Sequence, residues 1–111
     1  MVNKSQYEKN QALIEKGIKE GATLAAGGLG RPEGVNKGYF VRPTVFGNVT
    51  NDMTIAREEI FGPVLSVLSF RTPDEAVAKA NNTQYGLSAG IWSEKGSRIL
   101  AVASKLRAGV V

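Results

Sequence analysis

Residues 58–64 read Glu58-Glu59-Ile60-Phe61-Gly62-Pro63-Val64, two carboxylates and an aromatic ring set just ahead of a Gly-Pro step into an apolar run. Pro63 has a fixed φ and no backbone N–H, and Gly62 permits close backbone approach. The acid and the ring are therefore held on a stiff lead into a strand. Adjacent residues of an extended segment point to opposite sides, so only one of the two glutamates can face a given ligand.

Downstream, the apolar run from Val64 to Phe70 predicts a strand and leads directly into Thr72-Pro73-Asp74-Glu75. Thr72 can cap a helix, Pro73 has the φ suited to the first helical position, and Glu75 can complete a capping box near the positive end of the dipole. That helix runs to about Ala80. Asn81-Asn82 and Gly86 supply turn chemistry, Leu87 to Trp92 reads as a strand, and Ser93 to Leu106 reads as a helix with Ile99, Val102, Ala103 and Leu106 inward. Gly109 ends it, and Val110-Val111 look like the start of another strand. The expectation is an α/β fold with a mainly parallel sheet and a β-α-β-α-β second half joined by right-handed crossovers.

Upstream, Ser5-Gln6-Tyr7-Glu8 has the pattern of a capping box, which predicts a helix starting at Ser5. Tyr7, Gln11, Ile14 and Ile18 fall at helical spacing, Leu13 widens the stripe, and Gly21 offers a left-handed stop. Thr23 to Ala26 reads as a short strand. Residues 39–49 are rich in β-branched and aromatic side chains, with Pro43 confined to an edge or bulge. No repeat, low-complexity tract or linker divides the chain, so residues 1–111 read as one unit. A first helix with no strand before it and a strand opening at the last residue suggest natural boundaries outside this stretch.

Composition narrows the chemistry. At 42% hydrophobic and 22% charged residues the chain has the make-up of a folded globular segment. It has no cysteine, which removes disulfides, thiolate metal sites and a thiol nucleophile, and no histidine, which removes imidazole acid–base chemistry. No metal site is expected. No apolar run nears the roughly 18 residues of a membrane span, and no signal-peptide core follows Met1, so a cytoplasmic location is the default expectation, with no membrane partner. The net charge of +4 permits weak attraction to polyanions, yet Lys4, Lys9, Lys16 and Lys19 share the first helix with Glu8, Glu15 and Glu20 as a solvated face of mixed sign. With no aromatic cluster among the basic residues, no nucleic-acid partner is expected.

Residues 27–34 form a turn-rich segment whose Gly28 and Gly30 match the first two glycines of a G-x-G-x-x-G phosphate cradle. Glu33 stands where the third glycine belongs, and no helix follows to present its N-terminus to a pyrophosphate. The segment reads as a surface connection.

The 58–64 stretch resembles the cofactor-contacting motif of the aldehyde dehydrogenase family. Residues 38–46 (Gly38-Tyr39-Phe40-Val41-Arg42-Pro43-Thr44-Val45-Phe46), residues 81–87 (Asn81-Asn82-Thr83-Gln84-Tyr85-Gly86-Leu87) and Leu106-Arg107-Ala108-Gly109 follow that family's order and spacing. The resemblance covers about Gln6 to Val111 and implies part of the family's catalytic domain, after the nucleophilic cysteine and before the C-terminal end. It implies that Glu59 binds the nicotinamide ribose of NAD or NADP and that Phe61 lies against that end of the cofactor. An ionised carboxylate has two acceptor oxygens for the two hydroxyls of a vicinal diol, which suits the first role. Gln6 and Lys9 match the family's helix on the nicotinamide-ribose side, and their spacing of three puts them on one face. Asn82, Tyr85 and Gly86 also match the pattern, but turn formation and packing explain them without a ligand.

The resemblance further implies oxidation of a small-molecule aldehyde to a carboxylic acid by a homo-oligomeric parent enzyme. The cysteine, the oxyanion-hole asparagine, the base glutamate and the dinucleotide-binding domain would all lie upstream of Met1. The chain by itself is expected to be inactive and to carry no catalytic residue. The competing expectation is a stand-alone α/β interaction module derived from such an enzyme, recruiting a partner through an exposed sheet edge.

Overall fold

A computed structural model describes residues 1–111. The chain divides into two compact units, Met1–Leu68 and Ser69–Val111.

The first unit opens with α1 (Lys4–Lys19). Its cap is Asn3, whose side-chain Oδ1 accepts from the Gln6 amide at 2.9 Å, so the helix begins ahead of the Ser5 capping box expected from sequence. Asn is as good a cap as Ser, and a helix that starts two residues earlier gains hydrogen bonds. The far end is a Schellman turn: Gly21 sits at φ 98°, its amide donates to Ile18 O at 3.2 Å, and the Ala22 amide donates to Gly17 O at 3.1 Å.

Strand β1 (Thr23–Ala26) pairs antiparallel with β2 (Thr44–Gly47), which pairs parallel with β3 (Val64–Ser66), in the order β1-β2-β3. The sheet of this unit is therefore mixed rather than mainly parallel. The turn-rich 27–43 segment returns the chain directly alongside β1, whereas the connection from β2 to β3 passes through the short helix α2 (Thr54–Arg57). Beyond Gly47, Asn48 adopts φ 51° and ends β2, although Val67 still donates to Phe46 O at 2.9 Å.

The core consists of Ile14, Val41, Phe46, Val49, Met53, Ile55 and Ile60. Gly17 lets α1 approach it closely: a side chain there would meet Phe46 Cζ at 3.0 Å and Ile55 Cδ1 at 3.1 Å. The buried face of α1 is Asn10, Ile14 and Gly17. Ile18, expected inward, is exposed because Gly17 takes the contact with Phe46.

The second unit contains α3 (Pro73–Asn81) and α4 (Gly96–Ala103). Thr72 caps α3 through its Oγ1, which accepts from the Glu75 amide at 3.2 Å, as the tetrad predicts. Leu87–Trp92 and Val110–Val111 form no extended strands. They meet in a single parallel bridge between Ser88 and Val110, with Ala89 donating to Val110 O at 2.8 Å. A strand is held by a ladder of hydrogen bonds, and a single bridged residue pair does not make one. No helix is long and apolar enough to cross a membrane, and no group of three or more His, Cys, Asp and Glu side chains could hold a metal.

Candidate cofactor-contact site

α2 ends at Arg57 and is capped by Glu58, whose backbone turns to the extended region at φ -95° while its amide donates to Thr54 O at 2.9 Å. Residues 59–61 then alternate. Glu59 is exposed, Ile60 is buried in the core, and Phe61 is 69% exposed. Burial of the middle residue anchors the segment and leaves the carboxylate and the ring free for a ligand.

Phe61 adopts φ 59°, a left-handed conformation that is unusual for a bulky residue and costs on the order of 1 kcal/mol or more. The structure holds it from both sides. Downstream, Pro63 O accepts from the Thr44 amide of β2 at 2.8 Å. Upstream, Ile60 O accepts from Asn10 Nδ2 of α1 at 3.3 Å.

Asn10 is fully buried, and its Nδ2 also donates to Gln6 O at 2.9 Å. It thereby joins the helix that carries Gln6 and Lys9 to the segment that carries Glu59 and Phe61. Of the four residues singled out in the sequence, Gln6 is bonded to Asn10 through its backbone carbonyl, and Glu59 and Phe61 flank Ile60, whose carbonyl is the other acceptor. Lys9 is exposed on α1, next to Asn10 in sequence. Gln6 is half-buried, and its Oε1 is an enclosed acceptor without a hydrogen-bond donor.

The residue that sequence reasoning missed is Asn10. A signal was present, since position 10 falls between Tyr7 and Ile14 on the apolar stripe, where a carboxamide interrupts an otherwise hydrophobic face. The sequence does not show what such an amide binds.

The turn-rich 27–34 segment carries no free cradle. The Gly28 amide donates to Thr44 Oγ1 at 3.1 Å and the Gly30 amide to Gln11 Oε1 at 2.8 Å. The two backbone donors that a phosphate would need are committed to β2 and α1, as befits a surface connection.

The family model described as "Aldehyde dehydrogenase family" matches residues 1–111. The chain belongs to the aldehyde dehydrogenase family. It is 52% identical over 110 residues to betaine aldehyde dehydrogenase of Brucella anthropi, covering 98% of this chain and 23% of that protein. Among solved structures, an aldehyde dehydrogenase from Bartonella henselae superposes with a TM-score of 0.98 at 55% identity, over 100% of this chain and 23% of that one. A mutant of aldehyde dehydrogenase C from Pseudomonas syringae, solved with NAD+ and octanal, gives 0.97 at 50% identity, again over 100% and 23%. The chain thus spans about 23% of the length of these relatives.

Proposed function

We propose that the protein containing this chain oxidises an aldehyde to a carboxylic acid with NAD+, or alternatively NADP+, and that residues 1–111 supply outer contacts to the nicotinamide ribose. The observation that carries this reading is the exposed Glu59–Phe61 pair straddling buried Ile60. Support comes from the relatives' bound ligands, NAD+ and octanal in one and NAD+ in another.

The residues present fit a ribose. A vicinal diol brings two hydroxyl donors, and the exposed Glu59 carboxylate has two acceptor oxygens to receive them. Glu59 binds and orients the sugar through charge-assisted hydrogen bonds, and Phe61 shields one side of it from water. Lys9 adds positive charge on the helix facing a phosphate-bearing ligand. NAD+, when bound, supplies the hydride acceptor. The 111 residues contain no cysteine, so a thiolate attack on the aldehyde is not a step they can perform.

The test is Glu59→Gln in the full-length enzyme. Replacing a carboxylate acceptor by a neutral amide weakens NAD+ binding by about tenfold or more, read as Kd by calorimetry, with the aldehyde KM unchanged. An unaltered Kd removes Glu59 from the cofactor site.

A further inference from the structure

We infer that Asn10 is a positioning residue for the cofactor contacts, its buried carboxamide fixing the Ile60-Phe61-Gly62 turn against α1. The inference rests on the ribose-binding reading of Glu59 and Phe61 and adds a residue that the sequence motif does not contain.

Both Nδ2 protons of Asn10 are used, one on Gln6 O within its own helix and one on Ile60 O, 50 positions away. Two carbonyl acceptors fix which end of the amide is nitrogen. The oxygen is therefore turned toward Gly62. A Cβ placed on Gly62 would lie 1.8 Å from Asn10 Oδ1 and 2.7 Å from its Cγ, so Oδ1 faces one of the glycine's Cα–H bonds. That contact is weakly polar, and Oδ1 has no N–H or O–H donor. Gly62 is absent from the glycines with positive φ. Its small size is demanded by Asn10, not by its own dihedral.

Asn10 thus touches the residues on both sides of Phe61, the one bulky side chain in the left-handed region. A leucine could fill the stripe between Tyr7 and Ile14 without burying a carboxamide, whose desolvation and unsatisfied oxygen cost stability. What the amide contributes instead is direction. It sets the turn at one height along α1, and so sets Glu59 and Phe61 relative to Gln6.

A double-mutant cycle in the full-length enzyme tests this, reading Kd for NAD+ by calorimetry and Tm in parallel. Asn10→Ala and Gly62→Ala are each expected to weaken binding by about tenfold. The methyl group added at position 62 fits where the carboxamide was removed, so the double variant binds at least about threefold better than the product of the two single effects requires. Additive Kd values, or a lowered Tm with unchanged Kd, overturn the inference.

Asn10→Asp provides a second arm should Asn10→Ala not fold. Its ionised carboxylate faces two carbonyl oxygens, whereas the protonated acid can donate to one, so NAD+ binding weakens as pH rises, relative to wild type. A pH profile parallel to wild type overturns the inference. If Glu59→Gln leaves Kd unchanged, the ribose reading and this one both fall. If Glu59→Gln weakens binding while every Asn10 variant keeps the wild-type Kd, only the positioning role falls.

Discussion

Asn81 and Arg107, 26 positions apart, clasp each other at both backbone and side chain. The Arg107 amide donates to Asn81 Oδ1 at 2.9 Å, and the Arg107 guanidinium donates through Nη2 to Asn81 O and, at 2.9 Å, to Thr83 O. Asn81 Nδ2 in turn donates to Lys105 O at 2.9 Å. Two of the sequence signatures shared with the aldehyde dehydrogenases, residues 81–87 and 106–109, are thus the two halves of one hydrogen-bonded knot that closes the second unit. Their role is to carry the chain from α3 into the Ser88–Val110 bridge and to tie down the end of α4.

Removing the Asn81 side chain breaks two of these bonds. Asn81→Ala is expected to speed hydrogen exchange at the Arg107 amide by about tenfold, the equivalent of one lost hydrogen bond to a backbone group. NAD+ binding should be unchanged. Exchange mass spectrometry of the full-length enzyme reads the first, and an unchanged Arg107 rate would show the knot to be held elsewhere.

Acid should loosen the start of α3. Glu75 accepts from the Arg71 amide at 3.0 Å and pairs with Lys79 at 3.0 Å, and these contacts lower its pKa below the ordinary glutamate value, the backbone hydrogen bond being the largest cause. A depressed folded-state pKa gives stability that is fully present above the unfolded value, near 4.5, and is lost as pH falls through the folded one. The expected outcome is a fall in Tm on acidification below about pH 5 that Glu75→Gln makes shallower. Equal slopes in the two proteins would discount the contact.

Glu20 adds to the same acid dependence in the first unit. Both its carboxylate oxygens lie 3.2 Å from the Thr54 amide, so Glu20 caps α2 from the end of α1 and its pKa is lowered, chiefly by Thr54. Glu20→Gln should again flatten the pH profile, and faster hydrogen exchange at the Thr54 amide reports the lost cap.

Two glycines of the turn-rich connection should respond differently to a methyl group. At Gly27, φ 77°, a Cβ would meet Pro43 O at 2.3 Å and Thr44 Cα at 2.7 Å, so Gly27→Ala is expected to cost about 3 kcal/mol. At Gly30, φ 88°, nothing lies within 4 Å, and Gly30→Ala costs only the backbone strain, about 1 kcal/mol. Urea unfolding midpoints measure both, and equal losses would refute the close packing at Gly27.

Local chemistry was legible wherever neighbours in sequence complete it. Thr72, Pro73 and Glu75 stand within one helical turn, Gly21 terminates α1 in the left-handed conformation, and β1 spans Thr23–Ala26 as read. The left-handed turn at Phe61, φ 59°, was not legible, because the sequence reads there as an extended lead into the strand. Sheet direction was less legible, because β1 and β2 are four residues each, too short for the burial pattern to separate a parallel from an antiparallel neighbour.

Sequence alone determined the family, the Thr72 cap of α3 and the left-handed stop at Gly21, because each depends on covalent neighbours. Only the tertiary structure revealed that β2 pairs antiparallel with β1, that Glu20 caps a helix 34 positions away, and that Asn10 reaches Ile60 and forbids a side chain at Gly62. Those features depend on buried polar groups finding partners across the fold, and a buried amide in the sequence carries no mark of which distant carbonyl it will satisfy.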